Sequence, residues 1–250
     1  ENQHANAAQD SLFGDVEAQT PPDLVKAAEW GLKERLIQEK AALGLYLSGH
    51  PFDADRAALK GLVDRALKDV KPQRELQLMA GTIASIRIQM TRRGKMASIV
   101  LDDRSAQLEI AVFGELFDGN KALLKEDALL IVAGNARDDS YSGGMRVTAE
   151  EVMDIDTART RFATGLKLDL KEGVEVRRLI DLLTGYKDAK GCPVSLHYRN
   201  PQAECDVQLG PAWKMRLSED LFSALAEFGT FSVGYAVVLK SSRDRERAAA

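Results

Sequence analysis

The sequence predicts an α+β/β protein: a short helical N-terminal segment, a five-stranded OB-type β-barrel, then a small α+β C-terminal domain. Three observations support this. Residues 76–156 divide into five short apolar strand segments, with one helical insert between the third and fourth. Their first hairpin, 76–101, carries Arg87, Arg92, Arg93 and Lys95 and no acid, in a chain whose formal net charge is −4. The hydrophobic period is helical before this block and mixed after it. Five strands with a basic first hairpin fit an OB-type barrel, a fold that often holds single-stranded nucleic acid.

The bulk numbers exclude several classes. With 250 residues and 45% hydrophobic content the chain can form real cores. The negative net charge gives no general attraction to nucleic acid, so such binding needs a local patch. Cys192 and Cys205 are the two cysteines and make no C-x-x-C pair, which favours a reducing cytoplasm over a disulfide scaffold. There is no apolar run of membrane-span length, and residues 1–22 show no basic region followed by an apolar segment, the pattern expected of a signal peptide. The chain opens on Glu1-Asn2-Gln3 rather than Met, as expected of a piece of a longer polypeptide or of a processed one.

In order, residues 1–22 are polar, end in Pro21-Pro22 and read as a flexible tail that contains one apolar pair, Leu12-Phe13. Residues 23–72 read as helical. A first helix starts at Asp23 and stops near Gly49, because Pro51 disfavours helical geometry at His50. A second spans 54–68 with Leu59, Leu62, Val63 and Leu67 on one face. The barrel occupies 73–156. Its strands are 76–90, where Gly81 suits a bulge, then 96–101, 107–113, 128–135 and 145–152, with a helix at 115–124. Gly94 supplies the left-handed turn position, and Tyr141 centres the loop 138–144. Residues 157–240 alternate helices (157–163, 174–186, 219–228) with strands (166–170, 193–198, 203–209, 212–216, 231–239) and look antiparallel. Residues 241–250 form a charged tail.

Three phrases then point to one family. They are EKAALGLYLSGHPF (39–52), RRGKMASIVLDDRSAQLEIAVF (92–113) and SGGMRVTAEEVMDIDTAR (142–159). They resemble the C-terminal third of the α subunit of bacterial replicative DNA polymerase III. The resemblance runs from about 9 to 239 and loosens in the last domain, where GPAWKMRLSEDL (210–221) carries it. It implies a DNA-directed DNA polymerase whose catalytic and PHP domains lie outside this segment.

The residues themselves offer no catalytic set. Polymerisation needs carboxylates holding two metal ions, and the acids here form no such motif. His4, His50 and His197 are too scattered for a zinc or PHP-type site. The expectation is a segment with no catalytic residues, no metal and no cofactor.

The candidate sites are three. The resemblance makes Gln9-Asp10-Ser11-Leu12-Phe13 the peptide that engages the sliding clamp, with Gln9, Leu12 and Phe13 as its contacts. The plainer alternative packs Leu12 and Phe13 back on the helical segment. Arg87, Arg92, Arg93 and Lys95 are candidate phosphate contacts and Tyr141 a candidate base-stacking residue. The alternative is a solvated hairpin tip. The last domain resembles the region that binds the clamp-loader τ subunit, with Trp213 and Phe228 as candidate contacts. Phe113 is a weaker stacking candidate and reads first as core, Trp30, Trp213 and Phe222 read as core or interface packing, and His50 reads as a helix-end cap able to bond the last carbonyls.

Together these predict a non-catalytic docking and strand-guiding region of a polymerase in the bacterial cytoplasm, at the nucleoid-associated replisome. Its partners would be the sliding clamp, τ and single-stranded template DNA, with no membrane. A free-standing OB-fold protein for single-stranded DNA or RNA is the rival, and it would open on its own Met. A tRNA-ligase-like enzyme is a third reading, and no P-loop supports it.

Overall fold

The computed structural model describes residues 28–91, 94–139 and 144–241. The chain divides into two units, 1–31 and 32–250. Of the first, only 28–31 are described, and Trp30 there is 56% exposed rather than packed.

Helix α1 (Leu32–Leu43) starts well after Asp23 and buries only Leu36 among its described side chains. It ends at Gly44, whose φ of +75° is left-handed and whose N–H bonds the Lys40 carbonyl at 2.9 Å. Helix α2 (Pro51–Leu59) begins earlier and ends sooner than its apolar spacing predicts. Its start is a capping box. The His50 ring Nδ1 accepts from Phe52 N–H at 3.2 Å, and the Asp53 carboxylate accepts from His50 N–H at 3.3 Å. So His50 caps the following helix, not the preceding one. Gly61, at φ +79°, turns the chain away after Leu59. Leu62 and Leu67 are still buried, but from a loop and a 3-10 turn.

The barrel follows. Strands β1 (Gln77–Thr91), β2 (Gly94–Asp102), β3 (Gln107–Phe113), β4 (Leu129–Asp139) and β5 (Gly144–Met153) close in the order β1-β2-β3-β5-β4. Helix α3 (Gly114–Gly119) sits between β3 and β4. The closing β3–β5 pair is parallel and the other pairs are antiparallel. This is the strand order of an OB barrel, the fold the sequence predicts; the five-strand count fits that order without fixing it. The interior is apolar, with Met79, Ile83, Ala97, Ile99, Leu101, Ile110, Val112, Val132 and Val147 at 0% exposure.

The bulge in β1 is not at Gly81. The register slips between Ile83 and Ser85, leaving Ala84 as the extra residue. Gly81 instead answers a close approach, since a Cβ there would lie 3.1 Å from the Asp102 carbonyl oxygen. The bulge resets the alternation. Met79 and Ile83 point inward before it; after it Ile86 and Ile88 lie opposite the interior residues Ile99 and Ala97.

The turn between β2 and β3 ties the helical segment to the barrel. Asp103 is 3% exposed. Its carboxylate accepts from Leu67 N–H (2.8 Å), Ser105 N–H (2.8 Å), Ser105 O–H (2.6 Å) and Ala106 N–H (3.1 Å). Arg104 adopts φ +72° and pairs with Asp53 of α2 at 2.7 Å.

Helix α4 (Ile155–Phe162) leads to the last domain, capped by Asp154, which accepts from Thr157 N–H at 2.8 Å. There β6 (Ala163–Leu170), β8 (Val194–Arg199), β9 (Glu204–Gln208) and β10 (Gly229–Tyr235) form a sheet of order β10-β6-β8-β9. The β6–β8 pair is parallel, so the expected all-antiparallel look is corrected. Helices α5 (Val176–Thr184) and α6 (Glu219–Leu225) supply its core, with Leu179, Leu183, Leu221 and Leu225. Strand β7 (Lys187–Cys192) was not anticipated. The expected strand 212–216 is a 3-10 turn, Pro211–Trp213, followed by bridges from Met215 to Lys187 and Cys192.

A third apolar cluster joins these parts: Phe52, Leu59 and Leu62, the outward residues Leu78, Ala80, Ile131 and Ala133 of the barrel, and Phe162. Beside it Arg159, 2% exposed, reaches α2 and α6 at once. It donates to Glu219 at 3.0 Å and to the Ala58 carbonyl at 3.5 Å, and its guanidinium lies 4.7 Å from the Phe222 ring centre. No helix among the described residues is long and apolar enough to cross a membrane.

Candidate nucleic-acid interface

The β1–β2–β3 register decides which side chains share a face. Directly opposed residues point the same way, and neighbours along a strand alternate. Arg87 lies opposite Ser98, and Ser98 opposite Ala111. Gln89 lies opposite Met96, and Met96 opposite Phe113. These rows turn away from the interior row Ile88–Ala97–Val112, so they form the outer face of the barrel.

On that face Arg87 and Gln89 are exposed, Met96 and Ser98 are half-buried, and Phe113 is 39% exposed. Phe113 is therefore a surface ring beside Met96, which corrects the core reading and leaves the ring open to stacking. Its place at the end of β3, one residue before Gly114, was the available signal. The next row, Ser85–Val100–Glu109, brings an acid: Glu109 accepts from the Ser98 hydroxyl.

Lys95 faces the other way. It lies opposite Met90, on the side of Ile88 and Ala97. The hydrogen bond from Lys121, whose Nζ sits 2.6 Å from Asp118, holds the Asp118 carboxyl of α3 below the usual carboxylate range, and the Lys95 charge adds to it. So the two described cations of the hairpin, Arg87 and Lys95, occupy opposite faces. Arg92, Arg93 and Tyr141 lie outside the described residues, as do Gln9, Leu12 and Phe13.

In the last domain Trp213 is half-buried against the core, with Lys187 Nζ 3.4 Å from its ring centre. Phe228 is only 8% exposed and belongs to that core, so its ring offers a partner almost nothing. His197 sits on the sheet with its Nδ1 2.9 Å from Asp206. Burial pushes the Cys192 thiol up to about 11. Among the described residues no group of three or more His, Cys, Asp or Glu is placed to hold a metal ion.

The family described as an OB-fold nucleic acid binding domain matches residues 78–155. The DNA polymerase III subunit alpha of Pseudomonas fluorescens is 37% identical over 232 residues, which covers 89% of this chain and 20% of that protein. The subunit alpha of Escherichia coli (strain K12) is 34% identical over 239 residues, covering 90% and 20% respectively. A solved OB-fold domain, the second of replication protein A from Methanococcus maripaludis, is 15% identical and covers 36% of this chain and 93% of that chain. Its TM-score of 0.30 adds nothing to the topology described above. The chain spans about a fifth of the length of the curated relatives it matches. Similarity over nine-tenths of its own length places the chain in the family of the bacterial DNA polymerase III α subunit, as a region that contains the OB fold.

Proposed function

We propose that this region guides single-stranded template DNA over the barrel and docks an α subunit to its processivity partners, without catalysing a reaction itself. The observation that carries the reading is the outer face of β1–β2–β3. It presents Arg87, Gln89 and Met96 of a hairpin whose sequence has no acid, with Phe113 of β3 beside Met96. A cation and an exposed ring beside it suit a strand held by its phosphates and stacked through its bases. Arg92 and Arg93 extend the positive charge along the sequence, and Tyr141 offers a second ring.

A fluorescent thymidine oligonucleotide tests this. The full chain binds it weakly at low salt, because few charges are involved. Each phosphate contact on a single strand adds about 0.7 to the slope of log affinity against log salt. Arg87→Ala combined with Arg92→Ala and Arg93→Ala therefore lowers that slope by about 2. Absence of binding at about 50 mM salt, or an unchanged slope in the triple variant, removes the reading.

The docking roles rest on the sequence pattern and the family. Gln9, Leu12 and Phe13 form the segment proposed for the sliding clamp, an apolar pair in a polar stretch that a preformed pocket can take up. Leu12→Ala with Phe13→Ala is expected to abolish capture of the chain by immobilised clamp, and undiminished capture would eliminate the assignment. Tethering of this kind makes re-binding effectively intramolecular, which is the physical basis of processivity. The last domain is the proposed τ contact. Since Phe228 is internal, the Trp213–Lys187 corner is the better candidate there. These roles belong to the cytoplasm, at the replisome.

A further inference from the structure

The far half of the β1–β2 hairpin has two unlike faces. One carries Arg87 and Gln89; the other carries Ile88 and Met90, with Lys95 opposite Met90. Ile88 is 60% exposed and Met90 77% exposed, although both keep the parity of the barrel interior. Ile86, one step closer, still packs against the core. The hairpin thus outruns the core that its inward residues were patterned for. Among the described residues this half of β1 pairs only with β2, so Ile88 and Met90 sit on an edge strand whose other side is open. Exposed apolar residues on an open edge invite wrong pairing, and proteins blunt such edges with charge or cover them.

We propose that Ile88 and Met90 are a wedge that enters between the bases of the bound single strand. The inference rests on the nucleic-acid reading above and names the residues that would meet the bases from the hairpin's second face. A single strand is itself two-sided, with phosphates along one edge and bases along the other. A strand crossing the ribbon near its turn meets Arg87 on one face, and Ile88 and Met90 with Lys95 beside them on the other. Every charge in 76–101 is positive, so the whole ribbon tolerates a polyanion. Ile and Met are among the residues that proteins insert between base steps, partly unstacking them. Two residues on one face of a strand stand about 6.8 Å apart. That matches about two nucleotide rises of 3.4 Å, so each side chain can address its own step.

The wedge and the cations have separable signatures. Apolar insertion displaces no counterions, so removing it weakens binding without changing the salt slope. Insertion also unstacks, and 2-aminopurine brightens when its stacking is lost. The experiment titrates the full chain with an adenine-rich oligonucleotide containing one 2-aminopurine, following anisotropy and emission together. The variant is Ile88→Thr with Met90→Thr, which keeps β-branched or strand-tolerant residues at exposed positions. Its thermal unfolding should match that of the unaltered chain. The expected result is brightening on binding by the unaltered chain. The variant should lose about tenfold in affinity with the same salt slope and give little brightening. Binding without brightening, or equal affinity and brightening in both proteins, overturns the wedge and leaves the nucleic-acid reading standing. Failure of the unaltered chain to bind at low salt removes that reading and the wedge with it.

Discussion

Asp103→Ala is expected to cost the fold about 3 kcal/mol, enough to move its unfolding midpoint by many degrees. The carboxylate is the acceptor for four groups: the backbone N–H of Leu67, Ser105 and Ala106, and the Ser105 hydroxyl. Leu67 is 1% exposed, so its N–H finds no water to replace the lost partner. A buried donor left unpaired costs about 1–3 kcal/mol, and the substitution orphans more than one. The damage also spreads, because the Leu67 bond fixes the helical segment against the turn between β2 and β3. Urea titration of the two proteins at neutral pH measures the difference, and a loss below about 1 kcal/mol would show that the network is dispensable.

The same carboxylate gives the effect a pH dependence. Burial acts to raise the Asp103 pKa, but the hydrogen bonds from Ser105, Leu67 and Ala106 outweigh it and hold the carboxyl below its ordinary range. A group whose folded-state value is depressed stabilises the fold above its unfolded value, about 3.9 for Asp. That contribution disappears as the pH falls through the lowered folded-state value. The stability gap between the unaltered chain and Asp103→Ala should therefore stay constant from pH 7 to about 5, then narrow in more acidic solution. A gap that widens on acidification would contradict the assignment.

Much of the barrel was legible because its signals are local. The strand β3 has the predicted bounds, and Gly94 takes the left-handed position, at φ +100°, that its turn requires. What the sequence concealed is what depends on an extra residue or a distant partner. An unbroken alternation from Met79 would have turned Arg87 inward and Ile88 outward. One bulged residue, Ala84, reverses that and decides which side chains a ligand can meet. Nothing in the pattern marks Ala84, whereas Gly81 looked the part and serves a close approach instead. Helix α2 was misplaced because Leu59, Leu62 and Leu67 are all buried, which mimics one helical face. The chain reaches those positions through Gly61 and a loop. Phe228 and Phe113 exchanged roles for a similar reason. Residue type says that a ring will be buried somewhere, while only register says which ring the sheet leaves outside.

Gly229→Ala should destabilise the last domain by at least about 3 kcal/mol, a large effect for one methyl group. Gly229 opens β10 opposite Leu170 of β6, and the Phe228 carbonyl accepts from Lys171 N–H at 2.9 Å. The two backbones are therefore drawn together at this rung. A Cβ on residue 229 would overlap the Asp169 carbonyl oxygen, and would lie 2.9 Å from its carbon and 3.2 Å from the Leu170 Cα. These are backbone atoms, so no rotamer change can clear them, and β10 must part from β6. Parting uncovers Phe228 and Phe231, the latter stacked on Phe222 with ring centres 4.8 Å apart. Gly165→Ala is the matched control, because that glycine lies on β6 opposite Gly234 with nothing within 4 Å of its would-be Cβ. It should shift stability by no more than about 0.5 kcal/mol. The chain has only two tryptophans, and Trp213 packs in the domain at risk, so its fluorescence follows that domain through a urea titration. Equal midpoints for the two variants would mean that β10 and β6 are not held in this register, and the edge of the sheet would have to be redrawn.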